Sequence, residues 1–113
     1  MQAHPDQQII LDLRKGEFGV LDRIYKEHAP VILRWVIKNN GQAADAQDVF
    51  QEAIIALHQK ANDPKFVLTC PLGGLLFSIC RNKWLNQLRK KNKEAEVRLQ
   101  EEEKYKDDNS LYP

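Results

Sequence analysis

Between Asp45 and Lys60 the chain reads DAQDVFQEAIIALHQK, a pattern that leaves little room for anything but an amphipathic helix. At about 100° per residue, Ala46, Val49, Phe50, Ala53, Ile54 and Leu57 fall on one broad arc, the periodicity of a core-facing back. Asp48, Gln51, Glu52, Ile55 and Gln59 line the opposite side. That front holds two acids, two amides and one isoleucine, with no lysine or arginine. A solvated face more often mixes both charge signs and lacks the isoleucine. The composition suits a basic, partly apolar partner. The competing reading is plainer: Asp48 caps its helix and the rest is solvated.

The other segments follow the same period. Asp6 is placed to cap a short helix through Leu13, ended at Lys15-Gly16. A second helix starts near Glu17, with Phe18, Leu21, Ile24, Tyr25 and Ala29 at spacings of three and four. Pro30 removes a hydrogen bond and clashes with the preceding turn, so a kink or break is expected there. VILRWVI, Val31 to Ile37, is dense enough in apolar residues for central core, and Asn39-Asn40-Gly41 is a stop. After a loop from Ala61 to Cys70, Thr69 or Cys70 with Pro71 marks the next helix start, weakened by Gly73-Gly74. Leu75, Leu76, Ile79, Cys80, Trp84, Leu85 and Leu88 form its apolar stripe, and Trp84 reads as core. No strand-type alternation and no repeat occurs. The expected fold class is all-α, a compact bundle of about four to five helices.

Residues 1–93 are read as that domain, and 94–113 as a charged helical extension running into a linker stub. Chain length suits one domain of ordinary size. No apolar run is long enough to span a bilayer, and MQAHPDQQ has no signal-peptide pattern. Cys70 and Cys80 make neither a metal spacing nor a disulfide framework, which points to small buried hydrophobes in a reducing cytoplasm.

The net charge of +1 conceals an uneven distribution. Residues 42–63 carry −3, whereas 81–93 hold Arg81, Lys83, Arg89, Lys90, Lys91 and Lys93 without one acid. An acidic helix face and a basic segment in one small domain suggest two different partners. A solvated helix end is the competing reading of the basic run.

Catalytic patterns fail. His4, His28 and His58 are scattered, without a nucleophile in any local signature, and no glycine-rich phosphate loop exists. Asp45, Asp48 and Glu52 share a helix face, but a bundle metal site needs matching acids and histidines from other helices. The expectation is a binding protein without cofactor, metal or catalytic residues.

Two stretches together carry a resemblance. Ala46-Gln47-Asp48-Val49-Phe50-Gln51-Glu52 is similar to the region 2.2 signature of bacterial RNA polymerase sigma factors, with Gln47 for the usual Glu and Ile54 for the usual second Phe. LLFSICRNKWLNQLRKK resembles the region 2.3–2.4 helix, with Leu76, Ile79, Asn82, Asn86 and Arg89 in register. YKEHAP and RKGEFGVLDRIY resemble the turn and entry helix of the extracytoplasmic-function subgroup. The likeness covers about residues 7–93. Leu75 departs from the subgroup's usual Trp, and the family's second domain, a helix-turn-helix, is not found in these residues.

The resemblance implies a sigma region 2 fold and two partners. Asp48, Gln51, Glu52, Ile55 and Gln59 would meet the coiled-coil clamp of the polymerase β′ subunit. The loop, through Asn62, Asp63, Lys65, Phe66, Val67, Leu68 and Thr69, would capture a base flipped from the −10 non-template strand of promoter DNA. Arg81, Asn82, Asn86 and Arg89 would read base edges or hold phosphate, with Lys83, Lys90, Lys91 and Lys93 as counter-charges. The resemblance also implies an anti-sigma factor as a candidate partner. The reading from another class is a sigma-like helical interaction module, an adaptor or decoy without DNA binding.

Overall fold

The computed structural model describes residues 2–102, with side chains described through Lys93. The linker stub expected at 107–113 lies outside the described residues. Four helices follow in order: α1 (Gln7–Arg14), α2 (Val20–Lys38), α3 (Ala43–Asn62) and α4 (Leu72–Glu102). No strand occurs among the described residues, so the fold is the expected all-α bundle.

The arc read from Asp45–Lys60 is the centre of the packing. Ala46, Val49, Phe50, Ala53 and Leu57 are buried and Ile54 is half-buried, with Ala61 extending the same stripe. Val49, Ala53, Leu57 and Ala61 are fully closed off from water. The alanines let α1, α2 and α4 approach the α3 backbone closely, and all three pack on it. α3 begins earlier than its periodicity, at Ala43, because Asp45 is a first-turn acid: the Gln42 N–H donates to its carboxylate at 2.8 Å.

Several expectations are corrected. Pro30 does not break α2, which runs through it from Val20 to Lys38. The ring costs one backbone bond, but Pro30 is exposed, and Ile24, Ile32 and Val36 are buried on either side of it. Core packing of both halves outweighs the local penalty. VILRWVI is not central core throughout: Ile32 and Val36 are buried, whereas Val31, Leu33 and Ile37 are exposed because α2 shows the core only one face. Asp6 does not cap α1 with its side chain; its carboxylate instead accepts the Leu72 N–H at 2.9 Å and so caps α4. Cys80 is buried but Cys70 is exposed, since it sits in the loop before Pro71.

Two glycines permit close approaches that no larger residue would. A Cβ on Gly41 would meet Val36 Cγ1 and lie 2.8 Å from the Trp84 ring. A Cβ on Gly73 would lie 2.9 Å from His28 Cε1, so the glycine that weakens α4 locally also admits the imidazole of α2. Trp84 is fully buried, and its Nε1–H donates to the Asn39 carbonyl at 2.9 Å, tying α4 to the α2–α3 turn.

Gly41→Ala is therefore expected to destabilise the domain by about 1–3 kcal/mol through overpacking, read as a lower urea midpoint. Burial pushes the Cys80 thiol up to about 11, a rise that the nearby Lys83 ammonium only partly opposes. At mildly alkaline pH, iodoacetamide should modify exposed Cys70 and leave Cys80 intact until denaturant is added, as mass spectrometry would register.

Candidate functional site

α3 presents the first candidate surface. Asp48, Gln51, Glu52, Ile55 and Gln59 are all exposed, and Ile55 is 58% accessible. Two open apolar grooves flank this stripe. One, of about 520 Å³, lies between α2 and the first half of α3 and includes Tyr25, Pro30, Leu33, Phe50 and Gln51. The other, of about 430 Å³, lies beside the second half and includes Phe18, Leu21, Ile54, Ile55, His58 and Gln59. The stripe is thus wider and more apolar than its own residues suggest. Tyr25 and Leu33 were missed by periodicity, which assigns such residues to the core; Tyr25 instead packs edge-on to Phe50, with ring centroids 4.8 Å apart.

The second surface is the outer arc of α4. Arg81, Asn82, Asn86, Arg89 and Lys90 are exposed, and helical spacing puts them on one side together with Lys93. Asn86 Oδ1 accepts a hydrogen bond from Arg89, one turn on. The other two lysines of the basic run are turned towards α3. Lys83 lies 3.8 Å from the Glu52 carboxylate. Lys91 lies 3.6 Å from that of Asp45, with its ammonium 5.2 Å from the Trp84 ring centroid. Surface pairs of this kind, each with one partner exposed and one half-buried, contribute about 1 kcal/mol or less. Their consequence is geometric: the run is sorted into two lysines facing acids and four cations on an open arc.

The loop joins the two surfaces. α3 extends through Asn62, so the irregular stretch is Asp63 to Pro71, shorter than expected. Asp63 organises its first turn: Oδ1 accepts the Lys65 N–H at 2.9 Å, and its carbonyl accepts the Phe66 N–H at 3.0 Å. Asn62, Lys65, Val67 and Thr69 are exposed. Phe66 is half-buried against the core, with the Lys60 ammonium 5.7 Å from its ring centroid. Leu68 is buried and does not line a surface pocket; its N–H donates to Gln7 Oε1 at 2.7 Å, and its carbonyl accepts the His4 N–H at 2.7 Å.

Arg14 holds the same loop from behind. Its Nε donates to the Ala61 carbonyl at 2.7 Å, and its Nη2 to those of Asp63 at 3.1 Å and Phe66 at 3.4 Å. Nothing in the sequence pairs Arg14 with Asp63 and Phe66, 49 and 52 residues away; a basic last-turn residue reads simply as complementing its own helix dipole. Among the described residues no group of three or more His, Cys, Asp or Glu is placed to hold a metal.

These surfaces can be set beside known proteins. The family model for sigma-70 region 2 matches residues 24–94. The chain is also similar to the ECF RNA polymerase sigma factor SigL of Mycobacterium tuberculosis, with 31% identity over 76 residues in strains Erdman, CDC 1551 and H37Rv. That match covers 66% of this chain but only 41% of the relative's length. No solved structure matches.

Proposed function

The chain belongs to the sigma-70 region 2 family, a sigma factor domain of transcription initiation, and from that premise we propose how its two surfaces divide the work. Asp48, Gln51, Glu52, Ile55 and Gln59 dock on the clamp helices of the core polymerase β′ subunit. Asn62 at the end of α3, the loop after it through Thr69, and the outer arc of α4 take the −10 element, with the non-template strand opened. The subgroup is the extracytoplasmic-function one, as the likeness to SigL supports. Such a domain performs no covalent chemistry and works where polymerase is, in the cytoplasm; among the described residues no helix is long and apolar enough to cross a membrane.

One observation carries the reading: the acidic, isoleucine-bearing face of α3 and the basic arc of α4 are separate surfaces joined by the short loop. On α3, the acids supply steering and register while Ile55 and the flanking grooves supply apolar area. On α4, Arg81, Arg89, Lys90 and Lys93 neutralise phosphates, and Asn82 and Asn86 offer amides to base edges. Unstacking a base costs a few kcal/mol, which loop contacts must recover. A second reading, a helical interaction module without DNA binding, draws on the two apolar grooves. An anti-sigma factor is a candidate occupant of the α3 side under either reading.

An Ile55→Asp, Gln51→Ala variant should lose binding to a β′ clamp fragment by about tenfold or more; undiminished binding in a pull-down would sink the docking assignment. With core polymerase present, Arg89→Ala should weaken binding to −10-type single strands and lower the salt slope by about one, measured by fluorescence anisotropy. Clamp binding without any DNA binding would favour the interaction module.

A further inference from the structure

We infer that Arg14 is the positioning residue of the base-receiving loop, a role for α1 that the family match at 24–94 does not reach. The inference rests on the proposed reading of that loop. The stretch from Asp63 to Pro71 has no ladder of its own, and beyond the turn that Asp63 makes with Phe66 it depends on partners from other segments. One guanidinium gathers the carbonyls of Ala61, Asp63 and Phe66, the first on Nε and the other two on Nη2. Arginine suits this because its donors form a rigid planar fork and it stays charged at any relevant pH. With those carbonyls facing Arg14, Asn62, Lys65, Val67 and Thr69 are left on the outer side.

The rest of the N-terminal segment completes the brace. Gln7 Oε1 and the His4 N–H hold both backbone groups of Leu68, and the Asp6 carboxylate holds the Leu72 N–H where α4 begins. Asp6 is itself fixed, its N–H donating to His4 Nδ1 at 3.0 Å. Leu68 therefore points inward while Val67 and Thr69 on either side point out. A pocket for an unstacked base gains affinity when its ordering cost is met before the base arrives. Arg14 meets it by fixing the loop in the free domain.

Arg14 could instead only complement the C-terminal dipole of α3 at the Ala61 carbonyl, a purely structural role. Lysine separates the two, since it restores the charge but has one nitrogen where the guanidinium serves these carbonyls from two, Nε and Nη2. The test uses the chain bound to core RNA polymerase, with single strands of about 12 nucleotides, dA, dC or dT homopolymers, and an abasic strand of equal charge. The reading is the affinity ratio of base-bearing to abasic strand, beside the thermal midpoint of the free chain. Arg14→Ala should lower both. Arg14→Lys should recover most of the midpoint while the ratio stays reduced about tenfold from wild type, with an unchanged salt slope. A wild-type ratio in Arg14→Lys overturns the inference and leaves the loop's role standing. A wild-type chain that binds abasic and base-bearing strands equally overturns the loop's role, and the inference with it.

Discussion

Every other helix of the domain leans on the small-residue back of α3. Val49, Ala53, Leu57 and Ala61 are fully closed from water, and α1, α2 and α4 all pack on that helix. Alanine at two of these positions lets three neighbours crowd one backbone, a close approach that larger side chains would prevent. α3 is consequently both the centre of the core and the bearer of an exposed face that combines acids, amides and an isoleucine. Its apolar back fixes its rotation, and the rotation fixes which residues point outward. Asp48, Gln51, Glu52, Ile55 and Gln59 are displayed together because Val49, Phe50, Ala53 and Leu57 are not.

Electrostatics then sorts what packing has placed. The basic run of α4 starts one helix away from the acids of α3, and two of its lysines turn to Glu52 and Asp45. Pairs this exposed add little to stability. They do keep the acidic and basic surfaces from being independent, because Glu52 belongs to the α3 stripe and also faces Lys83 of α4. A basic partner on α3 must share Glu52 with that lysine. The remaining cations on the outer arc of α4 meet no such competition from α3 and are the ones best placed to act on an extended anion.

Much of this was legible in the residues, and the exceptions have physical reasons. The back and front of α3 followed from a 3.6-residue period because burial on one side of a helix is a local property. The core role of Trp84 followed from its spacing to Leu88 in the same way. The break foreseen as one alternative at Pro30 does not occur, because a local rule about one hydrogen bond leaves out the packing of Ile32 and Val36 beyond it. Val31, Leu33 and Ile37 misled because apolar density does not reveal which face a helix turns inward. Asp6, Gln7 and Arg14 escaped notice altogether as partners of residues 61 to 72. Their hydrogen bonds join segments far apart in the chain, and no periodicity encodes such a pairing.

The exposed apolar residues complete the physical account. Fully burying a side chain such as leucine or isoleucine contributes about 1.5–3 kcal/mol, so the partial exposure of Ile55, Leu33 and Tyr25 forgoes a fraction of that at each position. The residues are not scattered. Ile55 lines one groove beside α3 and Tyr25 and Leu33 line the other, and acids and amides stand between them. A surface selected only for solubility has no reason to group them in this way. The same rotation of α3 that closes the core therefore holds apolar area in reserve along its outer edge. Any stability forgone there would be recovered by whatever covers that edge.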